Sequence, residues 1–249
     1  MNYDVIICDW NGTLISSRDE KGIMASIAVD YAKASFPLHP AHLIRLLKVQ
    51  RKLNALYKER RRDEDFDYVI EMFRVFNAHI VNGLPADFVK HSIERNASQE
   101  KTLDKLDYRL LQIIDRCHKS GRMTGILSAG FTCNIQATLK AAGFDSSFDF
   151  YEANSLKQEK GKAIGFDLSI YRKKFVYLRE LLKRKNINES KVIYIGDSED
   201  DAECFEVVGY PVMSFLSPPD IKEEYARKYK AFVPENERDL AAYLGIDSI

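Results

Sequence analysis

The sequence predicts an α/β fold, a doubly wound parallel sheet interrupted by an inserted α-helical module. Three short apolar runs carry the sheet: Tyr3 to Cys8, Arg122 to Leu127 and Lys191 to Ile195 each end at a small polar or acidic residue. The second and third follow stretches of helical periodicity, which is the alternation a parallel sheet with crossover helices requires. Between about residue 20 and about residue 98 no such run occurs, and apolar residues recur every three to four positions instead. With 249 residues, 45% apolar and 30% charged, the chain is long enough for a large domain with a smaller companion.

Each element has its own warrant. Val5, Ile6, Ile7 and Cys8 form an unbroken apolar run, as suits a strand covered on both faces. The insertion reads as four helices: Gly22 to Ser35, Pro40 to about Arg60, Phe66 to Val81, and Pro85 to Asn96. Leu43, Leu46, Leu53 and Leu56 share one face of the second; Phe66, Ile70, Phe73, Phe76 and Ile80 share one face of the third. Pro40 and Pro85 suit first helical positions, and Asn82-Gly83 supplies a turn. Leu103, Leu106, Leu110, Ile113, Ile114 and Cys117 predict one helix before the second strand, closed by Gly121; Phe175, Leu178, Leu181 and Leu182 predict one before the third. Beyond Asp197 the order is a short helix, the run Pro211 to Leu216, a Pro218-Pro219 turn, a helix Ile221 to Tyr229, a last strand at Ala231 to Val233 and a final helix at Glu237 to Leu244. The expected division is a core of residues 1–18 and 99–249 with a helical domain of residues 19–98.

Lys plus Arg and Asp plus Glu both number 37, so no overall field draws the chain to nucleic acid or an anionic membrane. Cys8, Cys117, Cys133 and Cys204 have neither zinc-ligand nor disulfide-framework spacing and read as small hydrophobes in a reducing compartment. Neither a signal peptide nor a run of about 18 apolar residues is present, so the expected location is cytoplasmic. The basic run Lys58 to Arg62 is followed by Asp63, Glu64 and Asp65; it reads first as a solvated helix end with its own counter-charges, and second as a source of an Arg for a substrate carboxylate or phosphate.

The chemistry gathers at strand ends. Asp9-Trp10-Asn11-Gly12-Thr13 places a carboxylate directly after the first strand, where a Gly-containing turn can offer backbone N–H groups to an anion. Ser128, with the N–H groups of Ala129 and Gly130, could bind phosphate oxygens after the second. Asp197, Asp200 and Asp201 crowd the end of the third, and such carboxylates repel one another unless a hard cation sits among them, which points to Mg²⁺. Lys174, or its neighbour Lys173, begins the preceding helix and can steady a phosphoryl group. Trp10, beside Asp9 in sequence, is expected to pack under the inserted helices, with stacking on substrate as the alternative.

In this order the motifs resemble the haloacid dehalogenase superfamily over nearly the whole chain. Asp9 with Gly12-Thr13 is similar to the nucleophile motif, Ser128 to the phosphate-binding residue, Lys174 to the motif lysine, and Asp197 and Asp201 to the metal-side acids. Ser128 to Phe131, Glu152 to Leu156, Gly161 and Gly165-Phe166 look most like the phosphoserine phosphatase branch. The resemblance implies a Rossmann-like core, a helical cap over the site, and hydrolysis of a small phosphorylated metabolite. Asp9 would be the nucleophile of an aspartyl-phosphate intermediate. Asp9, the Asn11 carbonyl and Asp197 would hold Mg²⁺; Asn11, Gly12, Thr13, Ser128, Ala129, Gly130 and Lys174 would face the substrate; Asp201 would orient Lys174 or a metal-bound water, with Asp200 as a helper.

One position departs from the phosphatase pattern, which has a second Asp two residues after the nucleophile. Asn11 stands there, and an amide cannot shuttle a proton, a function worth about 10²–10⁴ in rate. Two other readings stand beside phosphatase: cleavage of a carbon–halogen or carbon–phosphorus bond, since Asp9 could attack carbon or phosphorus, and, with Asn11, binding of a phosphorylated ligand or protein partner without turnover.

Overall fold

The computed structural model describes residues 2–16, 20–35, 40–61 and 67–246. Arg62, Asp63, Glu64, Asp65 and Phe66, named above, lie outside the described residues. Two compact units form: Met1–Asp19, Ser98–Asn154 and Ser169–Ile249 make the first, Glu20–Ala97 and Ser155–Leu168 the second. Among the described residues no helix is long and apolar enough to cross a membrane.

In the first unit, β1 (Val5–Cys8) leads to the second unit, to which α1 (Glu20–Ser35), α2 (Pro40–Arg60), α3 (Tyr68–Phe76) and α4 (Ala86–Ala97) belong. The chain returns through α5 (Glu100–Leu103), α6 (Tyr108–Lys119), β2 (Met123–Phe131), α7 (Thr132–Ala142) and β3 (Phe150–Asn154). Strands β4 (Leu156–Glu159) and β5 (Lys162–Phe166) go to the second unit; α8 (Lys174–Lys185), β6 (Val192–Gly196), α9 (Ala202–Val207), β7 (Tyr210–Met213), α10 (Pro219–Tyr229) and α11 (Glu237–Leu244) complete the first.

The sheet order is β3-β2-β1-β6-β7, and every pairing is parallel. This is the doubly wound α/β core. Because side chains alternate along a strand, Ile6 and Cys8 enter one layer with α6, α7 and α11, through residues such as Leu110, Ile114, Leu139 and Leu240. Val5 and Ile7 enter the other with α8, α9 and α10, through Leu178, Leu182, Phe205 and Tyr225. The thiols of Cys8, Cys117 and Cys204 are buried, as small apolar groups would be.

Several elements depart from expectation. The helix drawn through Leu103 and Leu106 is broken: Leu106 bridges Ile15, and Asp107 caps α6 by accepting from the Arg109 and Leu110 N–H groups. β2 runs past Ser128 to Phe131, with a register shift between those two residues. The Ala231 to Val233 strand reduces to one bridge between Val212 and Phe232. In the second unit, the third helix ends at Phe76 and continues as a π-helical turn, Asn77–Val81.

Residues 155–168, expected in the core, instead form the β4–β5 hairpin of the second unit. Asn77 explains this: its side chain accepts from the Phe166 N–H at 2.9 Å and donates to the Phe166 carbonyl at 3.0 Å. A Cβ at Gly165 would lie 2.8 Å from Asn77 Cγ, so this close approach requires glycine. Gly83, Leu84 and Ala86 add backbone bonds to the hairpin.

Candidate active site

Parallel strands end together, so β1, β2 and β6 bring their carboxyl-end residues to one edge of the sheet. Asp9 follows β1, anchored by its N–H to the Ile195 carbonyl at 2.9 Å, and is 2% exposed. The turn after it closes through Gly12 N–H to Ile15 O at 2.7 Å, and through the Leu14 and Ile15 N–H groups to Trp10 O. Gly12 has φ +81°, and a Cβ there would lie 2.2 Å from Asp197 Oδ2. Both the backbone conformation and the space therefore call for glycine.

Lys174, the first residue of α8, is buried with its Nζ 3.0 Å from Asp9 Oδ1 and 2.8 Å from Asp201 Oδ1. Lys173, the alternative by sequence, and Asp200, the expected helper, are exposed. Asp201 is fully engaged: Oδ1 also accepts from the Tyr194 hydroxyl at 2.7 Å, and Oδ2 accepts from the Asp197 N–H at 3.0 Å. Gly196 leaves room for this fold-back, since a Cβ there would sit 2.6 Å from Asp201 Cγ. Thr13 Oγ1 donates to Asp197 Oδ1 at 3.3 Å.

Asp9, Asp197 and Asp201 place carboxylate oxygens within 4.8 Å of one another. Burial pushes the Asp9 carboxyl up to about 6, with Asp201 adding to it and Lys174 opposing it. Burial, then Asp9 and Asp201, push Asp197 up to about 8. Burial disfavours the Lys174 ammonium, but Asp201 and Asp9 outweigh it and its pKa is raised. Ionising all three carboxyls against one ammonium would leave an excess of negative charge in a largely buried place. An oxygen-liganded divalent cation removes that excess, so the donor set fits Mg²⁺.

Ser128 is buried, and its Oγ accepts from the Gly130 N–H at 3.1 Å. That N–H is thus committed within the turn, while the Ser128 hydroxyl keeps a proton to donate. Asn154 braces the turn, donating to the Ala129 carbonyl at 2.7 Å and accepting from the Ile170 N–H at 2.9 Å. Trp10 is buried in the core layer with Ile135, its ring against Gly130.

Two supporting residues, Tyr194 and Ser214, are not marked by the sequence as site residues. Tyr194 had one signal, a polar-tipped side chain within an otherwise apolar strand. Ser214, whose hydroxyl lies 3.3 Å from the Gly12 and Thr13 carbonyls, had none. Asn154 entered through the resemblance but without a role.

A family model described as haloacid dehalogenase-like hydrolase matches residues 6–206. None of the curated proteins matches the chain. Among solved structures, a HAD family hydrolase from Salmonella enterica subsp. enterica serovar Typhi is 19% identical with TM-score 0.55, covering 88% of this chain; the chain spans 64% of that protein's length. A substrate-bound phosphoserine phosphatase is 17% identical with TM-score 0.53, covering 99% of this chain and 100% of its own. Cytosolic 5′-nucleotidase IIIB bound to cytidine is 18% identical with TM-score 0.63, covering 97% and 85%. These likenesses show the shared fold, and the family match over most of the sequence adds the lineage: this chain belongs to the haloacid dehalogenase-like hydrolase family.

Proposed function

We propose that this chain is a Mg²⁺-dependent phosphatase that hydrolyses a small phosphomonoester through a phosphorylated Asp9, the second unit acting as its cap. The observation that carries this reading is the buried Asp9 carboxylate held 3.0 Å from Lys174 beside two further carboxylates. The phosphoserine phosphatase and 5′-nucleotidase among its structural neighbours support the choice of a phosphate ester.

Asp9, Asp197 and the Asn11 carbonyl would hold Mg²⁺, which supplies charge neutralisation between nucleophile and phosphate oxygens. Lys174 keeps the Asp9 carboxyl ionised and aimed. An Asp9 oxygen attacks phosphorus as the bond to the leaving oxygen breaks; water then attacks the acyl phosphate, releasing inorganic phosphate and restoring Asp9. Ser128 donates its hydroxyl to a phosphate oxygen. Asp201, through its hold on Lys174 and the Asp197 N–H, is a positioning residue. Asn11 can neither protonate the leaving oxygen nor take a proton from water, so substrates with good leaving groups, aryl or acyl phosphates, are favoured over alkyl esters.

A panel of phosphate esters with and without Mg²⁺, with Asp9→Asn as the blank, tests this. Aryl esters should turn over faster than alkyl esters, and Asn11→Asp should raise alkyl turnover the more, by up to about 10²-fold or beyond. Equal gains for both ester classes would overturn the leaving-group preference. Mass spectrometry of the intact Asn11-Gly12 pair guards against deamidation mimicking the variant. Asn11 also favours a second reading, ligand binding without turnover: bound ester with no Asp9-dependent phosphate release, even from activated esters, would establish it in place of the first.

A further inference from the structure

The second unit holds a cavity of about 440 Å³ among α1, α2 and α3, lined by apolar side chains including Met24, Leu46, Leu53, Met72, Phe76 and Ile80. Its two amides share a hydrogen bond, Gln50 Nε2 donating to Asn54 Oδ1 at 3.2 Å. Along α2 the lining runs from Leu46 to Tyr57, about 17 Å at the α-helical rise. One end is chemically different. Tyr57 and Tyr68 meet edge to face at 6.3 Å, and each carries a guanidinium: Arg61 lies 5.0 Å from the Tyr57 ring and Arg60 lies 5.6 Å from the Tyr68 ring. Arg61 also reaches the Tyr57 hydroxyl at 3.5 Å. Among the described residues no carboxylate pairs with Arg60 or Arg61, both of which are exposed. The whole of α2 is basic, with Arg45, Lys48, Arg51, Lys52, Lys58 and Arg60 against the single acid Glu59.

We propose that this groove binds an amphiphilic anion, an unbranched apolar chain ending in a carboxylate or phosphate, with the chain between the helices and the anionic end on Arg60 and Arg61. The cavity has the volume of a small-molecule site and apolar walls that a hydrocarbon chain would dry. Its two rim guanidiniums match a carboxylate or phosphate in bidentate geometry and leave a cationic head group unpaired. The site lies within one unit and involves no catalytic step, so it stands apart from the phosphatase reading.

Calorimetric titration of the full chain with decanoate, decyl phosphate and decyltrimethylammonium, each below its micellar concentration, tests it. Both anions should bind one per chain, and the cation about tenfold more weakly or not at all. Arg60→Gln with Arg61→Gln, both on exposed side chains, should weaken decanoate about tenfold and remove the preference for anions. Ala28→Phe, which fills the cavity, should block binding; where it lowers the melting temperature, the arginine variant decides alone. Asp9→Asn should bind decanoate like the parent. Equal affinity for the cation, an arginine variant that binds unchanged, or non-saturating uptake of several decanoates would overturn the proposal. So would a dimer in sedimentation that Ala28→Phe dissolves, since a second copy would then be the occupant.

Discussion

Two lysines show how differently the two units treat charge. Lys174, in the first unit, is buried 3.0 Å from Asp9 and 2.8 Å from Asp201. Lys52, on α2 of the second unit, is exposed and donates to His79 Nε2 at 2.8 Å, so that cation faces a neutral ring. Burial first, then Lys52, Arg45 and Lys48, hold the His79 pKa below its ordinary value. Water and salt screen the charges on α2, so folding tolerates them without a buried carboxylate beside each. Away from water each charge needs a partner in place, and the position of Lys174 is therefore decided by the same packing that forms the core. Chemistry in the first unit is built in by folding, whereas the basic face of the second stays open to whatever binds it.

Lys174→Met strands the Asp9 and Asp201 carboxylates and should cost about 3–5 kcal/mol of stability at pH 8 in denaturant unfolding. The loss should shrink at pH 5, where Asp9, its pKa pushed up to about 6, takes up a proton. On the proposed reading, phosphate release should fall about 10²–10³-fold as the electrostatic hold on Asp9 goes.

Gly12→Ala comes next. It demands a positive φ from an L-residue and drives a methyl group into Asp197, at a cost of about 1–3 kcal/mol in chemical denaturation. Mg²⁺ binding should weaken in parallel, because Asp197 must move.

The pH dependence of the metal-free protein sharpens the contrast. Asp9 and Asp197, with pKa values pushed up to about 6 and about 8 from 3.8, bind more protons folded than unfolded between these limits. Stability therefore falls as pH rises through that window, the reverse of an ordinary ion-paired carboxylate. Melting scans in chelator should show this decline, and Mg²⁺, which binds the ionised forms, should raise the melting temperature more at pH 8 than at pH 5. A metal-free protein that gains stability from pH 5 to pH 8 would contradict the assignment.

The smallest effect belongs to the second unit. Lys52→Gln should shift stability by no more than about 0.5 kcal/mol in the same denaturant experiment, because the charge it removes is exposed and its partner is neutral.

Much of the core was legible because its signal is local. β1 is apolar throughout, β6 is apolar but for the tip of Tyr194, and both are buried at every position, so their composition alone marks central strands. β3, FYEAN, lies at the sheet edge and is mostly half-buried, so no apolar run or clean alternation announces it. The β4–β5 hairpin is weaker still: LKQE is largely exposed, and Asn77, far away in sequence, pins its partner strand. Its place in the second unit follows from that pairing and has no counterpart in local pattern.

The candidate site divides along the same line. From sequence alone came the parallel sheet, the inserted helices, and the motif positions Asp9, Ser128, Lys174, Asp197 and Asp201, because periodicity and motif spacing are properties of neighbouring residues. Tertiary structure decided that Lys174 rather than Lys173 turns inward and that Asp201 rather than Asp200 is buried. It also decided that Tyr194 completes the Asp201 cage and that residues 155–168 leave the core. Adjacent residues of one type are indistinguishable in composition; which of them is buried depends on the face its element turns toward a segment far off in the chain, and that orientation exists only once the layers have packed.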